Sequence, residues 1–280
     1  MRTVPSSGGV SLAVHDFGGS GRPTLFAHAT GLHGAVWEPF AAALGDGFQR
    51  WALDFRAHGQ SVVPPNQPLP WTEMGDDVEA AVHHLPGQPG QFLGIGHSMG
   101  AAALLLAEQA RPGTFAGLWL FEPIAPPPSP ARAMEGGKHL SEGAARRREN
   151  FPTAAEALAH YSAKPPLNTW QAAALAAYVR HGFVADEDGT VHLACRPADE
   201  AQIFRGGDGH QAFSRLGDVH CPVLVVCGDH LLPPGALAEA IALVLPQGSL
   251  ERHRFMGHFG PLEAPRTLAA SAAAFASTLR

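Results

Sequence analysis

The residue best suited to nucleophilic chemistry is Ser98, which stands in the run Gly96-His97-Ser98-Met99-Gly100. An apolar stretch precedes this run and an Ala- and Leu-rich stretch follows it. Such a pattern predicts a strand, a sharp turn and a helix, with the serine hydroxyl held clear of the backbone. The two glycines let neighbouring segments approach closely, because they carry no Cβ atom. We therefore predict that Ser98 is a nucleophile of the kind that forms a covalent intermediate.

Main-chain N–H groups beside this serine are the second chemical requirement. The amide of Met99 is predicted at a helix N-terminus, where N–H groups lack helical partners and the helix dipole is positive. Such groups stabilise an oxyanion. A second donor must come from a neighbouring loop, and the small-residue run His28-Ala29-Thr30-Gly31 follows an apolar strand. We predict that the main-chain N–H of Thr30 is this second donor.

The same glycine-rich stretch has another interpretation, a dinucleotide-binding turn. Gly94 and Gly96 follow a strand and open a helix, as that motif requires. The third glycine is Gly100 where position 99 is needed, and no acidic residue ends a following strand at the usual distance. We therefore set the dinucleotide interpretation aside.

A general base for Ser98 is expected among the histidines. His258 follows the last predicted strand, 250–255, and so is predicted at the same sheet edge as Ser98. We interpret His28 and His33 as structural residues that brace their own loop.

A polar turn follows the third predicted strand, and we assign it a structural role. Asp54, Arg56 and His58 stand close together in this turn. Hydrogen bonds to the local backbone explain such residues without a catalytic role.

Composition excludes several other classes of protein. The formal net charge is −6, whereas proteins that bind nucleic acids present a basic surface. No stretch approaches the roughly 18 apolar residues that cross a membrane, and the first residues lack the apolar segment of a secretory signal. The cysteines, Cys195, Cys221 and Cys227, show no metal-ligand spacing and cannot all pair. We expect a cytoplasmic protein with no nucleic-acid, membrane or metal partner.

Apolar strands and helical stretches alternate along most of the chain, which predicts an α/β fold with a mainly parallel sheet between two layers of helices. The predicted strands are 10–17, 23–27, 48–53, 93–97, 117–121, 223–228 and 250–255. The predicted helices outside the insertion described next are 36–44, 76–85, 98–111, 236–245 and a closing helix.

The pattern changes at Ala125, where a proline-rich run begins and no buried strand of the earlier kind follows until Pro222. We interpret 125–215 as a mainly helical insertion and 1–124 with 216–280 as one core domain. Helices are predicted at 141–148, 154–161 and 169–179, with a turn at 186–190 between short extended pieces. An insertion at the strand-end edge is placed to act as a lid.

Three consecutive arginines, Arg146 to Arg148, lie in this insertion. They could bind an acidic substrate. A solvent-exposed helix face, or ion pairs with Glu142 and Glu149, requires fewer assumptions. We keep this second interpretation as the expectation.

The order of Ser98, a carboxylate and His258 matches the nucleophile, acid and histidine order of α/β-hydrolases. The chain resembles a lidded member of that family over nearly its whole length. His28-Ala29-Thr30-Gly31 resembles the family's oxyanion loop, and Gly257-His258 resembles its histidine loop. The resemblance implies an eight-stranded sheet, attack by Ser98 on a carbonyl, proton transfer through His258 and oxyanion binding by the amides of Thr30 and Met99. It also implies that Ser98 and His258 meet as hydrogen-bonding neighbours.

The resemblance leaves two carboxylates for the third role. The family most often places this acid three residues after the glycine that ends the seventh strand, but that position is Leu231, and Asp229 stands two residues early. Lidded branches similar to haloalkane dehalogenases carry the acid after the sixth strand, and the run from Gly117 to Glu122 resembles that arrangement. We favour Glu122 and keep Asp229 as the alternative.

These features predict a serine hydrolase, a carboxylesterase that cleaves a small carboxylic ester through an acyl-enzyme, with no metal or organic cofactor. Serine excludes dehalogenase and epoxide hydrolase chemistry, because those relatives use aspartate as nucleophile. Cleavage of lactones, amides, thioesters or carbon–carbon bonds stays open, since related serine enzymes share this site. A non-catalytic small-molecule receptor is the alternative from another class. The sequence does not define the physiological substrate or the oligomeric state.

Overall fold

A computed structural model describes residues 1–128, 136–207, 209–228 and 234–279. The strands in chain order are β1 (Arg2–Pro5), β2 (Ser11–Asp16), β3 (Arg22–Ala27), β4 (Phe48–Leu53), β5 (Phe92–His97), β6 (Phe115–Phe121), β7 (Asn150–Phe151), β8 (Phe183–Ala185), β9 (Val191–Leu193), β10 (Val223–Gly228) and β11 (Gly248–His253). Eight of them form one sheet in the order β1-β2-β4-β3-β5-β6-β10-β11. Strand β2 is antiparallel to both of its neighbours, and all other pairs in this sheet are parallel. The predicted eight-stranded, mostly parallel sheet is confirmed.

Helices cover both faces of this sheet. They are α1 (Glu38–Leu44), α2 (Trp71–His84), α3 (Met99–Ala110), α4 (Gly136–Ala145), α5 (Ala154–Ser162), α6 (Ala172–His181), α7 (Pro197–Gly206), α8 (Gly235–Val244), α9 (Gly260–Glu263) and α10 (Pro265–Thr278). Within the described ranges, no helix combines the length and apolar character that crossing a membrane requires.

The core has two parts, because successive strand residues point to opposite faces of the sheet. Leu25 of β3 packs in the part covered by α2, α3 and α8. Its neighbour Phe26 packs in the part covered by α1 and α10. Buried positions on both faces give the nearly continuous apolar runs from which the central strands were predicted.

The segment between β6 and β10 carries α4 to α7 and a small antiparallel sheet in the order β7-β9-β8. The turn predicted at 186–190 joins β8 to β9. Trp170 and Tyr178 from this segment pack in the same core as Trp37 and Phe40. The segment is therefore anchored on the sheet face covered by α1 and α10.

One helix of this segment ends earlier than predicted. The expectation was a helix over 141–148, but α4 ends at Ala145, and the three arginines follow in a turn and an irregular segment. They do not form a helix face. Helix α7, which begins at Pro197, was not predicted at all.

Candidate active site

The predicted nucleophile lies in a strained turn between β5 and α3. Ser98 has φ 56° and ψ −115°, a backbone conformation that costs energy for any residue except glycine. Three main-chain hydrogen bonds hold it there: Ser98 N donates to Phe121 O at 3.0 Å, and Ser98 O accepts from Ala102 N at 3.1 Å and from Ile124 N at 3.4 Å. The serine is therefore fixed between β6 and the first turn of α3.

The glycines beside Ser98 allow the close approach that the sequence predicts. A Cβ atom on Gly96 would lie 2.6 Å from Ala101 Cα, and one on Gly100 would lie 2.3 Å from the carbonyl oxygen of Ala27. Real Cβ atoms do not approach so closely. Gly100 therefore permits the N-terminus of α3 to touch the end of β3, where the loop that contains Thr30 begins.

The structure brings His258 and Glu122 together. His258 Nδ1 lies 2.7 Å from Glu122 Oε2, and Glu122 Oε1 accepts from Gly228 N at 2.9 Å. Glu122 is fully buried and has a φ of 46°, so its backbone is also strained. Because a carboxylate only accepts hydrogen bonds, Nδ1 carries a proton, and Nε2 is the basic nitrogen of the neutral ring.

His97 links the nucleophile turn to the histidine loop. It directly precedes Ser98, its ring lies 4.8 Å from the ring of His258, and its Nε2 donates to the main-chain oxygen of His258 at 2.7 Å. Burial, with the nearby charge of His258 as a second cause, lowers the pKa of His97 well below its usual value. His97 is therefore a neutral donor that positions the His258 backbone, a role with no signal in the sequence.

The expected hydrogen bond between Ser98 and His258 is not formed. Both residues are described, yet the serine hydroxyl donates to no group among the described residues. Contacts between a nucleophile and its base are often long in free enzymes and tighten when substrate binds. His258 thus contacts Glu122 and His97, the residue before Ser98. The hydrogen bond between His258 and the Ser98 hydroxyl is the contact that is missing.

The main-chain N–H groups of the two predicted oxyanion donors have no acceptor among the described residues. Met99 begins α3, and neither its N–H nor that of Thr30 donates to another described residue. The loop around Thr30 is held on its other side, because Gly31 N donates to His58 Nε2 at 3.0 Å. Both amides are therefore available to a ligand.

Three buried histidines brace this loop, as predicted for His28 and His33. His28 Nε2 accepts from Phe55 N at 3.1 Å, and His33 Nε2 donates to Tyr178 O at 3.1 Å. Burial lowers the pKa of His33 and His58 to about 4 and that of His28 well below its usual value. All three rings are neutral near pH 7, so His28 and His58 can accept from main-chain N–H groups.

The polar turn after β4 bonds only in part to its own backbone, because the Arg56 guanidinium pairs with Asp77 of α2 at 2.6 Å. Asp54 accepts from Gly34 N at 2.6 Å and Gln60 N at 2.8 Å, and its Oδ1 lies 3.0 Å from His15 Nε2. Burial alone raises the pKa of Asp54, but the hydrogen bond and charge of His15 lower it to about 2. Asp54 is therefore a permanent anion that fixes Gly34, in the short turn that precedes α1.

Glu263 connects the insertion to the histidine loop. Its Oε1 accepts from the Thr169 hydroxyl at 2.7 Å, and its Oε2 accepts from Gly257 N at 3.1 Å. Gly257 directly precedes His258. Because Glu263 lies 94 residues from Thr169, no local pattern in the sequence could reveal this bridge.

The alternative acid, Asp229, lies outside the described residues. Within the described part of the chain, no group of three His, Cys, Asp or Glu side chains is arranged to hold a metal ion.

A family model described as the alpha/beta hydrolase family matches residues 24–271. The chain belongs to the alpha/beta hydrolase family. The order of strands in the eight-stranded sheet described above is thus that of an alpha/beta hydrolase.

Individual relatives include esterases and another hydrolase. A stretch of 102 residues is 30% identical to a pimeloyl-[acyl-carrier protein] methyl ester esterase from Methylococcus capsulatus, covering 36% of this chain and 37% of that relative. A thermophilic esterase from Thermogutta terrifontis has a TM-score of 0.75 and 23% identity, covering 99% and 97% of the two chains. An E-2-(acetamidomethylene)succinate hydrolase has a TM-score of 0.81 and 23% identity, covering 99% and 98%. Likeness at this level of identity shows the fold.

Proposed function

We propose that this alpha/beta hydrolase is a serine carboxylesterase that cleaves a small carboxylic ester through an acyl-enzyme. Ser98 is the nucleophile, His258 is the base and Glu122 is the acid. The observation that carries the proposal is the 2.7 Å hydrogen bond between His258 Nδ1 and the buried Glu122 carboxylate. That bond provides the base with a defined tautomer, and the base contacts His97, the residue before the strained serine. A binding protein does not require a defined tautomer of this kind.

The proposed reaction has two halves. Ser98 Oγ attacks the ester carbonyl while His258 Nε2 takes the hydroxyl proton, and the amides of Met99 and Thr30 bind the oxyanion. The intermediate collapses, His258 returns the proton to the leaving alcohol, and Ser98 is left acylated. Water then attacks the acyl group with His258 again as base, which releases the carboxylic acid and restores the serine. Glu122 stabilises the imidazolium in both halves.

We also propose that 125–215 is a lid over a core domain of 1–124 and 216–280. The support is its position at the strand-end edge and its contacts with both loops of the candidate site. Glu263 joins it to the histidine loop through Thr169, and His33 joins it to the loop of Thr30 through Tyr178. A lid held in this way can select the acyl group.

We propose that the protein is cytoplasmic, because of the state of its cysteine thiols. Cys195 and Cys221 are buried thiols that form no disulfide, and Cys227 is buried as well. Reduced cysteines that pack as small apolar residues are typical of a reducing compartment.

Hydrolysis of short p-nitrophenyl esters tests the proposed activity. The purified chain is expected to release p-nitrophenol with an initial burst of about one equivalent, because acylation precedes a slower deacylation. Ser98→Ala is expected to abolish both burst and turnover. If neither p-nitrophenyl acetate nor p-nitrophenyl butyrate is cleaved faster than by Ser98→Ala, the esterase proposal is wrong and the receptor interpretation is favoured.

A further inference from the structure

Four polar side chains of the insertion form a cluster. Three belong to its helices, and the fourth directly follows a helix. Arg147 follows α4, Tyr161 belongs to α5, Tyr178 to α6 and Glu200 to α7. Arg147 Nη1 donates to Glu200 Oε2 at 2.5 Å, and Nη2 donates to the hydroxyls of Tyr178 at 2.5 Å and Tyr161 at 3.1 Å. We call these four residues the arginine cluster.

Arg147 contradicts the expectation drawn from the three consecutive arginines. It pairs with Glu200, which is 53 residues away, and not with Glu142 or Glu149. Its side chain is 21% exposed, whereas Arg146 and Arg148 are exposed residues. Local spacing could not reveal a partner at that distance, so Arg147 has to be interpreted apart from its two neighbours.

The arginine cluster lies against the loop of the proposed oxyanion donor. A Cβ atom on Gly31 would lie 2.2 Å from Glu200 Oε1 and 3.3 Å from Arg147 Nη1. The ring of Tyr178 stacks on His33 of the same loop, with centroids 5.8 Å apart and planes 8° apart. Gly31 directly follows Thr30. The arginine cluster therefore lies against the residue that follows Thr30, and the N–H of Thr30 is proposed to bind the substrate carbonyl oxygen.

Several hydrogen-bond donors of the arginine cluster have no acceptor among the described residues. A guanidinium carries five N–H donors, and only three of those of Arg147 have described partners. Both tyrosine oxygens accept from Arg147, and neither hydroxyl donates to a described residue. Burial raises the pKa of Tyr178, so this phenol keeps its proton. Glu200 Oε1 is the one oxygen of the cluster that accepts from no described residue.

We propose that the arginine cluster binds a carboxylate of the substrate, so that the preferred ester carries a free carboxylate on its acyl chain. The inference rests on the proposed esterase function. A substrate carboxylate supplies acceptors for the unused N–H and O–H groups, and hydrogen bonds between ions are shorter and stronger than neutral ones. Glu200 compensates the charge of Arg147 while the site is empty, since an unpaired buried charge is costly.

A pair of methyl esters of equal chain length tests the proposal. Monomethyl glutarate carries a free carboxylate, and methyl pentanoate carries a methyl group in its place. The wild-type chain is expected to show the higher kcat/KM for monomethyl glutarate. Arg147→Met is expected to lower that value roughly 10- to 100-fold, while methyl pentanoate changes less than about threefold, because Met keeps the apolar stem.

The matched control is Arg146→Met, which removes the charge of an exposed side chain one residue away from Arg147. Arg146→Met is expected to leave the kcat/KM values of both substrates unchanged. Equal losses for both esters in Arg147→Met would mean that the cluster is a structural contact between insertion and loop, and would overturn the proposal. No preference for monomethyl glutarate in the wild-type chain would overturn it as well.

A second variant addresses folding. Arg147→Met leaves Glu200 buried without its partner, which can destabilise the chain. Arg147→Met/Glu200→Met removes both charges together, and it is expected to fold and to lose the same preference for monomethyl glutarate. A double variant that keeps the wild-type preference would contradict the proposal.

Binding separates this inference from the proposed function. Glutarate binding to Ser98→Ala, measured by calorimetry at low ionic strength, needs no turnover. Binding is expected, and Arg147→Met in the same background is expected to weaken it roughly 10-fold or more. If no ester is cleaved but glutarate binding depends on Arg147, the esterase function is wrong and the carboxylate site stands. If glutarate does not bind, the carboxylate site is wrong.

Discussion

One carboxylate oxygen of Glu122 accepts from His258 Nδ1, and the other accepts from Gly228 N of β10. A glutamate in that position fixes the ring and leaves Nε2 as the base. The sequence predicted catalytic roles for Ser98, Glu122 and His258 because each directly follows a strand or lies in a short motif. It could not locate Glu200 as the partner of Arg147, since that contact depends on how α7 packs on α4.

The Glu122→Gln variant tests the acid. Its amide oxygen can still accept from Gly228 N, so the fold is expected to persist, but its NH2 group would donate to Nδ1 and leave Nε2 protonated. We expect kcat for a p-nitrophenyl ester to fall about 1,000- to 10,000-fold. Asp229→Asn is the control and is expected to be nearly normal. The reverse pattern would make Asp229 the acid.

At the scale of elements, the candidate site is a meeting point of the β3 loop, the N-terminus of α3 and the loop after β11. The central strands were predicted from their apolar runs. Strand β1 was missed because it has one buried residue, Val4, and ends in Pro5 at the sheet edge. Helix α7 was missed because its buried apolar side chains are few among polar neighbours.

Two glycine substitutions in helices test the contact between α3 and β3. Gly100→Ala would push a Cβ atom against the carbonyl oxygen of Ala27, and we expect it to lower the free energy of unfolding by about 1–3 kcal/mol or more. Gly143→Ala in α4 meets nothing within 4 Å and is expected to raise it by about 0.5–1 kcal/mol. Urea unfolding measures both. Equal stabilities would show that the two segments do not approach as described.

Glu263 is expected to act on catalysis through the histidine loop. Glu263→Ala removes the acceptor of Gly257 N, so His258 is held less firmly, and kcat is expected to fall roughly 10- to 100-fold with little change in KM. Glu263→Gln, which keeps an oxygen for that amide, should restore part of the rate. Thr169→Val breaks only the insertion side of the bridge and is the matched control. A change confined to KM would argue against a positioning role.

At the scale of the whole molecule, several histidines are buried as neutral rings. Burial is the largest cause that lowers the pKa of His28, His33, His58, His97 and His210, with values of about 4 for His33, His58 and His210. These rings support loops around the site, and the unfolded chain exposes them to water. Their burial therefore connects the stability of the fold to pH.

The free energy of unfolding is expected to fall as the pH drops from about 6.5 to about 4. In that range the unfolded chain binds protons that the folded histidines do not, so each contributes a loss of up to about 1.4 kcal/mol per pH unit. His58→Gln keeps an acceptor for Gly31 N–H without a titrating group and should flatten the dependence. The exposed His83→Gln should not. A stability that is constant from pH 7 to 4.5 would contradict this description.

Labelling with a fluorophosphonate probe is the most direct test that Ser98 is an activated nucleophile supported by His258 and Glu122. We expect one probe per chain, attached to Ser98 by peptide mass spectrometry, with no labelling of Ser98→Ala and labelling at least about 100-fold slower in His258→Ala. Absence of the adduct, or an adduct on another residue, would contradict this assignment of the site.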